Sequence, residues 1–172
     1  MNWSEYFVNM ADVVRQKSKD PSSKIGALIV GTDHEIISSG FNGFPRGIRE
    51  VSLDQSELLD RWERPIKYQY VCHAERNAIY NAARVGHRLK GCSLYLVGFG
   101  PPCVPCTECT KAVIQSGITA VYGYAFKPAP DNWKDDLDFS LALLREAGVD
   151  FYEIDEQGKL LMDDVGVGLG KK

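Results

Sequence analysis

Apolar and polar positions alternate along the chain with two periods, one typical of helices and one typical of strands. Apolar residues recur at helical spacing from Trp3 to Val14, which predicts an amphipathic helix ending before "KDPSS". Two strand-like segments follow, "KIGALIVG" and "EIISSGF", and the turn residues between them predict an antiparallel hairpin. The next segment, "FNGFPRG", has the glycines and the proline of a loop.

The rest of the chain alternates between helical and strand patterns. Helices are predicted for "AERNAIYNAARVG", "TECTKAVIQSG" and "NWKDDLDFSLALLREAG", each closed by a glycine, and strands for "SLYLVG", "ITAVYGY" and "VDFYEI". This order predicts an α/β fold, a three-layer α/β/α sandwich around a mixed five-stranded sheet that begins with the hairpin and is mostly parallel. We expect one domain over residues 1–172, of which 157–172 form a flexible, glycine-rich tail.

Composition and charge exclude several classes of protein. The formal net charge of -3 disfavours a surface that binds nucleic acid, and no apolar run approaches the roughly 20 residues of a membrane span. The N-terminus lacks the pattern of a signal peptide. Five cysteines without such a signal indicate metal or thiol chemistry in a reducing compartment, so we expect a cytoplasmic protein without nucleic-acid or membrane partners.

Two short segments carry the candidate chemistry. His73 and Glu75 stand in "CHAERNAI" at the start of a predicted helix, and Cys103, Cys106 and Cys109 form two overlapping C-x-x-C pairs at the start of the next. Residues two apart point about 200° away from each other inside a helix, so a site shared by His73 and Glu75 must lie beyond the helix N-terminus. Both helix dipoles would then favour thiolates at that site.

One neutral imidazole and two thiolates give zinc three protein ligands and leave its fourth position for water, as in a catalytic site. Glu75 is placed to move the proton of that water. A structural zinc joining two helices is the alternative, with Glu75 as an ordinary helix-start acid. The cysteine pair is Cys106 with Cys109 or Cys103 with Cys106. The helical face shared by Cys109 and Val113, and Pro105 just before the helix, favour the first pair.

The combination H-x-E and P-C-x-x-C is the signature of zinc nucleobase deaminases. The segments "GALIV", "GFNGFPRG", "KYQYVCHAERNAI", "KGCSLYL", "PCTECTKAVIQSGI" and "LLREAGV" occur in the order found in deoxycytidylate (dCMP) deaminases, which the chain resembles from about Pro21 to Ile154. The resemblance implies a cytidine deaminase-like fold and a zinc-dependent hydrolase. It implies zinc ligands His73, Cys106 and Cys109, which leaves Cys103 spare in an elongated "GFGPPCV" segment.

The same resemblance implies a reaction and a set of substrate contacts. The reaction is the hydrolysis of dCMP to dUMP and ammonia, which supplies dUMP for thymidylate synthesis, with Glu75 carrying the proton. Asn42 would bind the sugar or the base edge, and the backbone N–H of Ala74 would bind the pyrimidine carbonyl. Further candidates are Lys24 and Ser22 for the 5′-phosphate, and Tyr122 or Tyr124 for stacking on the base, although strand packing is the expected use of at least one tyrosine.

Members of the dCMP branch are usually hexamers that dCTP activates and dTTP inhibits, so the resemblance also implies a homo-oligomer and a nucleotide effector, with Mg²⁺ on its triphosphate. The candidate effector contacts come from the "GFNGFPRG" loop and the following helix: Asn42, Gly43, Phe44, Arg46 and Arg84. A tight Asn-Gly turn without any ligand is the alternative for this loop.

Three other functions use related features. A tRNA adenosine deaminase shares the zinc pair, but we would expect it to have a basic surface, whereas this chain is net acidic. A free-nucleoside deaminase needs no phosphate site. A non-enzymatic zinc module needs no Glu75 beside an open coordination position.

Overall fold

The computed structural model describes residues 1–162, which contain a six-stranded sheet of order β2-β1-β3-β4-β5-β6. The first hairpin is antiparallel as predicted, and β1 is also antiparallel to β3. The strands β3, β4 and β5 are parallel, and β6 is antiparallel to β5. The prediction of a mixed sheet is confirmed, with β6 as one strand more than expected. The prediction that the sheet is mostly parallel is wrong for the described residues, because three of the five strand pairings are antiparallel: β1 pairs antiparallel with both β2 and β3, and β6 adds a third. The strands are β1 (Gly26–Val30), β2 (Ile36–Phe41), β3 (Ser93–Gly100), β4 (Ala120–Pro128), β5 (Asp150–Ile154) and β6 (Leu160–Met162).

Helices cover both faces of this sheet, which confirms the predicted three-layer sandwich. One face packs against α1, and the other packs against α3, α4 and α5. Within residues 1–162, none of the helices combines the length and the apolar character that crossing a membrane requires. The helices are α1 (Trp3–Arg15), α2 (Lys67–Tyr70), α3 (Ala74–Val85), α4 (Thr107–Ser116) and α5 (Lys134–Ala147), with short 3-10 turns at Asp60–Trp62 and Asp131–Trp133.

Alanine spacing and one glycine bring α3 close to the sheet. Ala74, Ala78 and Ala82 are fully buried along one side of α3, as four-residue spacing predicts. A Cβ atom added to Gly40 on β2 would lie 2.3 Å from the carbonyl oxygen of Ala74, so only glycine permits this approach. The close packing fixes the first turn of α3, where His73 and Glu75 lie.

The predicted flexible tail begins with ordered structure. Ile154 on β5 pairs with Leu160 on β6, and Gly158 in the connecting turn has a φ of 69°. Three residues of strand were not expected here because they are too few to give a periodic signal. The remainder of the predicted tail, 163–172, lies outside the described residues.

Candidate metal centre and active-site cavity

The histidine and the first cysteine of the candidate site occupy equivalent positions at the starts of two helices. His73 is the N-cap residue of α3 and Cys106 is the N-cap residue of α4, both with extended backbone. Neither side chain caps its own helix, so both are free to point away from it. Cys109 follows in the first turn of α4. The site therefore lies beyond two helix N-termini, where the dipoles stabilise negative charge.

The three donor atoms are close enough to share one metal ion. The Nδ1 atom of His73 lies 3.3 Å from Sγ of Cys106 and 3.4 Å from Sγ of Cys109, and all three donors lie within 4.8 Å of one another. A tetrahedral zinc with ordinary Zn–N and Zn–S bonds holds such a nitrogen and sulfur about 3.5 Å apart. Residue types and spacing both fit a zinc ion with one position left open.

The protons shared among His73, Cys106 and Cys109 favour a thiolate at Cys106. A hydrogen bond from the Cys109 thiol, with His73 beside it, lowers the pKa of Cys106 to about 4. The same proton sharing raises the pKa of Cys109, and the hydrogen bond to the Cys106 sulfur raises the pKa of His73. A bound metal ion would replace these shared protons, because zinc binds deprotonated sulfur and neutral imidazole.

Cys103 does not belong to this donor group. Its thiol is 1% exposed and points to the carbonyl oxygen of Leu96, 3.8 Å away. Burial raises the pKa of the Cys103 thiol, which makes it a poor source of thiolate. A Cβ atom on Gly123 would clash with the backbone oxygen of Cys103, so this loop packs tightly on β4 and holds the thiol in the cavity wall.

Glu75 faces the same cavity as the metal donors. It is 4% exposed, and burial raises the pKa of its carboxyl group, while the nearby His73 charge opposes that rise. A buried carboxyl next to an open metal position is arranged to take up a proton and release it again.

Two aromatic side chains form one wall of the cavity. The Trp133 ring lies 6.4 Å from the His73 ring, centroid to centroid, and meets the Phe99 ring edge to face at 5.5 Å. Both residues line the cavity, Phe99 from β3 and Trp133 from the turn before α5. This wall offers a flat apolar surface of the kind on which a pyrimidine ring stacks.

A buried polar network forms another part of the lining. The side chain of Asn42 accepts a hydrogen bond from the Ile25 backbone N–H at 2.8 Å and donates one to Asp20 at 2.9 Å. Asp20 in turn pairs with Lys67, at 2.6 Å from Nζ. Both partners of this ion pair are almost completely buried, with side chains 1% and 6% exposed. Asn42, Asp20 and Lys67 all line the cavity.

The predicted substrate residues divide into two groups. Asn42 and Ala74 line the cavity, and Ser22 lies beside it as a partner of Lys67. Lys24 is exposed and does not line the cavity, because the chain around it turns Ser23 and Ile25 inward instead.

Tyr122 and Tyr124, one of which is predicted to stack on the base, lie on the other face of the sheet and do not line the cavity. Side chains alternate along β4. Val121 faces α3 and α4, and the tyrosines therefore face α1. Tyr122 is stacked between Tyr95 and Tyr152, which is the strand packing expected for at least one of the pair.

Of the residues predicted to bind an effector, Asn42 lines the cavity, whereas Gly43, Phe44, Arg46 and Arg84 do not. Gly43 pairs with Cys72 through two backbone hydrogen bonds, and Phe44 stacks on Trp62 at 4.3 Å. Arg46 donates to the side-chain oxygen of Asn81 on α3 at 2.6 Å, and Arg84 is exposed. Their contact with a nucleotide stays a prediction.

Among the cavity residues that sequence reasoning missed are Asp20, Arg64, Lys67, Phe99 and Trp133. Lys67 lies within "KYQYVCHAERNAI", the segment that carries the resemblance, and its position was the available signal. Nothing local distinguishes Phe99 and Trp133 from core aromatics, because their role depends on a contact between β3 and the turn before α5, which are distant in sequence.

A family model described as the cytidine and deoxycytidylate deaminase zinc-binding region matches residues 1–125. A deoxycytidylate deaminase of Mus musculus is 39% identical over 153 residues, covering 88% of this chain and 79% of the relative. A deoxycytidylate deaminase of Homo sapiens is 37% identical over 164 residues, covering 95% and 86%.

The fold is also found in solved structures. A dCMP deaminase of the cyanophage S-TIM5 superposes with a TM-score of 0.63 at 23% identity, covering 88% of this chain and 96% of the other. This likeness shows that the two chains share the arrangement of sheet and helices.

Proposed function

We propose that this chain, which belongs to the cytidine and deoxycytidylate deaminase family, hydrolyses dCMP to dUMP and ammonia with zinc as its cofactor. The observation that carries the proposal is the position of Glu75, which is buried in the lining of the cavity that the metal donors His73 and Cys106 also line. A metal site that only joined two helices would have no use for this carboxyl group.

His73, Cys106 and Cys109 hold the zinc ion in this proposal. Zinc bound there supplies a water molecule whose pKa is lowered towards neutrality. Glu75 takes a proton from the attacking water and passes it to the ring nitrogen beside the reacting carbon. Once the water oxygen has bonded to that carbon, Glu75 carries the remaining proton of this oxygen to the amino group, the carbon–nitrogen bond breaks, and ammonia leaves.

The rest of the cavity orients the pyrimidine nucleotide. Ala74 is the first residue of α3, where the backbone N–H has no intrahelical acceptor, and it donates to the pyrimidine carbonyl. The wall of Phe99 and Trp133 replaces the predicted tyrosines as the surface on which the base stacks. Asn42 binds the sugar.

Arg64 is our candidate for binding the 5′-phosphate in place of Lys24. Its side chain is exposed at the mouth of the cavity, with the guanidinium carbon 5.8 Å from the centroid of the Tyr68 ring. A guanidinium group binds two phosphate oxygens at once.

Regulation, assembly and location form a separate part of the proposal. The "GFNGFPRG" loop supports binding of dCTP with Mg²⁺ as an activator and dTTP as an inhibitor, in a hexamer as in the dCMP branch. Arg46 and Arg84 are the candidate phosphate contacts. A cytoplasmic location rests on the free thiol ligands, which need a reducing compartment.

One assay tests the proposed reaction against its alternatives. Zinc-loaded protein is given dCMP, deoxycytidine, cytidine or a tRNA anticodon stem, and the ammonia and the deaminated product are measured. We expect dCMP to be turned over in preference to the other three. Preference for a nucleoside, preference for the tRNA stem, or no turnover of any substrate would each contradict the proposal.

A further inference from the structure

The orientation of the Asn42 carboxamide is dictated by its partners. The backbone N–H of Ile25 can only donate, so the atom 2.8 Å from it is the amide oxygen Oδ1. The carboxylate of Asp20 and the carbonyl oxygen of Ser23 can only accept, and they lie 2.9 Å and 2.7 Å from Nδ2. Both N–H bonds of the amide are therefore used, while Oδ1 keeps one lone pair.

The side chain of Asp20 is itself held from several directions. Its Oδ1 atom accepts hydrogen bonds from the backbone N–H groups of Ser22 and Ser23, at 2.9 Å and 3.1 Å. Lys67 lies 2.8 Å from Oδ1 and 2.6 Å from Oδ2. Burial alone would raise the pKa of Asp20, but these hydrogen bonds and the Lys67 charge outweigh it and keep its pKa low. The carboxyl group of Asp20 therefore stays ionised near neutral pH and can accept the hydrogen bond from Asn42.

Lys67 has no hydrogen-bond donor left over for a ligand. Its ammonium group carries three N–H bonds and has three close partners, the two oxygens of Asp20 and the hydroxyl oxygen of Ser22 at 2.7 Å. Although Lys67 lines the cavity, its charge is directed at Asp20. This arrangement disfavours a direct contact between Lys67 and a substrate phosphate.

We infer that the buried Asp20–Lys67 pair is a positioning device that makes Asn42 a hydrogen-bond acceptor towards the substrate. The inference rests on the proposed function. A neutral dCMP base and its sugar offer two kinds of donor, the amino group that is lost in the reaction and the 3′-hydroxyl group. The amino group must lie beside the metal ion, where it is replaced, so Asn42 accepts a hydrogen bond from the 3′-hydroxyl group. The Asp20–Lys67 pair therefore sets the preference for substrates that carry a 3′-hydroxyl group.

The test compares dCMP with 2′,3′-dideoxycytidine 5′-monophosphate, which lacks only that hydroxyl group. The variant is Asp20→Asn with Lys67→Met, because removing both charges leaves no buried ion without a partner. Its fold is checked by thermal unfolding. Arg15→Met is the control, since Arg15 forms an ion pair with Asp12 on α1, away from the cavity lining.

In the wild type we expect kcat/KM to favour dCMP over the dideoxy analogue by about tenfold, the value of one hydrogen bond. The double variant should lose most of this preference by losing rate on dCMP, while its rate on the dideoxy analogue changes by less than about twofold. Asn42→Ala should lose the same preference for dCMP. Adding Asn42→Ala to the double variant should lower kcat/KM on dCMP little further, because the effects of substitutions at residues that act through one another are not additive.

Three results would overturn the inference while leaving the proposed function intact. Equal losses on both nucleotides would make the ion pair merely structural, and an unchanged preference would remove it from substrate recognition. If the double variant lost rate on dCMP but not on deoxycytidine, which has no phosphate, Lys67 would bind the phosphate directly. A wild-type protein that does not turn over dCMP would overturn the proposed function itself, and this inference with it.

Discussion

The Sγ atom of Cys106 lies 3.3 Å from Nδ1 of His73, although the two residues are 33 positions apart and begin different helices. Each helix N-terminus directs a positive dipole end towards the same point, and each contributes a metal donor there. The cavity's chemistry therefore depends on the mutual packing of α3 and α4 on one face of the sheet.

Changing Glu75 to glutamine should abolish proton transfer and leave the metal group intact. We expect turnover of dCMP to fall by roughly three or more orders of magnitude, with zinc content and thermal stability close to wild type. Glu108→Gln is the matched control, because Glu108 is an exposed acid in the first turn of α4. Near-normal turnover by Glu75→Gln would remove this residue from the mechanism.

The aromatic wall predicts which ring touches the base. Trp133→Ala should raise KM for dCMP by about tenfold, because stacking of a base on an aromatic ring is worth roughly 1–3 kcal/mol. Tyr122→Leu, which also removes an aromatic ring, should leave KM unchanged, since Tyr122 lies on the face of the sheet that packs against α1. Steady-state kinetics of both variants measure this KM. A raised KM in the Tyr122 variant, with an unchanged KM in Trp133→Ala, would indicate that the base stacks on Tyr122 instead.

The effector proposal predicts a change in the shape of the saturation curve. Addition of dCTP with Mg²⁺ should turn a sigmoidal dependence on dCMP towards a hyperbola, and dTTP should oppose it, with a coupling of roughly 1–3 kcal/mol. Arg46→Ala should weaken the response to dCTP. Kinetics that are hyperbolic and indifferent to both nucleotides would leave "GFNGFPRG" as a turn without an effector.

The Asp20–Lys67 pair predicts a specific dependence of stability on pH. The folded protein holds the pKa of Asp20 below its ordinary value of 3.8, so the carboxylate stabilises the fold above that pH and loses its effect as pH falls through the folded pKa. Asp20→Asn should therefore lower the free energy of unfolding by about 3 kcal/mol near neutral pH, where Lys67 is left without a charged partner.

Urea unfolding of wild type and Asp20→Asn at several pH values measures this contribution. The difference between the two proteins should be constant down to about pH 5 and should narrow below about pH 4. A difference that grew as pH fell would mean that the sign of the Asp20 contribution is wrong.

Local sequence patterns were sufficient to predict the elements that carry the metal donors. The alanine spacing of α3 and the glycines that end α3 and α4, Gly86 and Gly117, both with positive φ, define those helices without reference to the rest of the chain. His73 and Cys106 stand directly before the first turns, so their shared direction followed from helix geometry.

The substrate side of the cavity could not be predicted in the same way. Asp20 and Lys67 are 47 positions apart, and no local pattern joins them. Helices cover both faces of the sheet at β4, so residues on either face can be apolar. The alternation of Val121 and Tyr122 therefore does not indicate which face holds the cavity. Lys24 was a reasonable cation for the phosphate by position, but the turn of the chain at Ser23 and Ile25 directs it outward.

The central claim is that His73, Cys106 and Cys109 hold the zinc ion used in deamination. Its most direct test changes each of the three cysteines near α4 to serine alone and measures zinc content and dCMP turnover on the same samples. Serine is a poor zinc ligand at neutral pH because its hydroxyl group stays protonated. Cys103→Ser is the built-in control, since its thiol is directed at Leu96.

We expect Cys106→Ser and Cys109→Ser to lose both zinc and turnover, and Cys103→Ser to keep most of both. The reverse pattern for the outer two cysteines, with full zinc and turnover in Cys109→Ser and neither in Cys103→Ser, would contradict this assignment of the metal site.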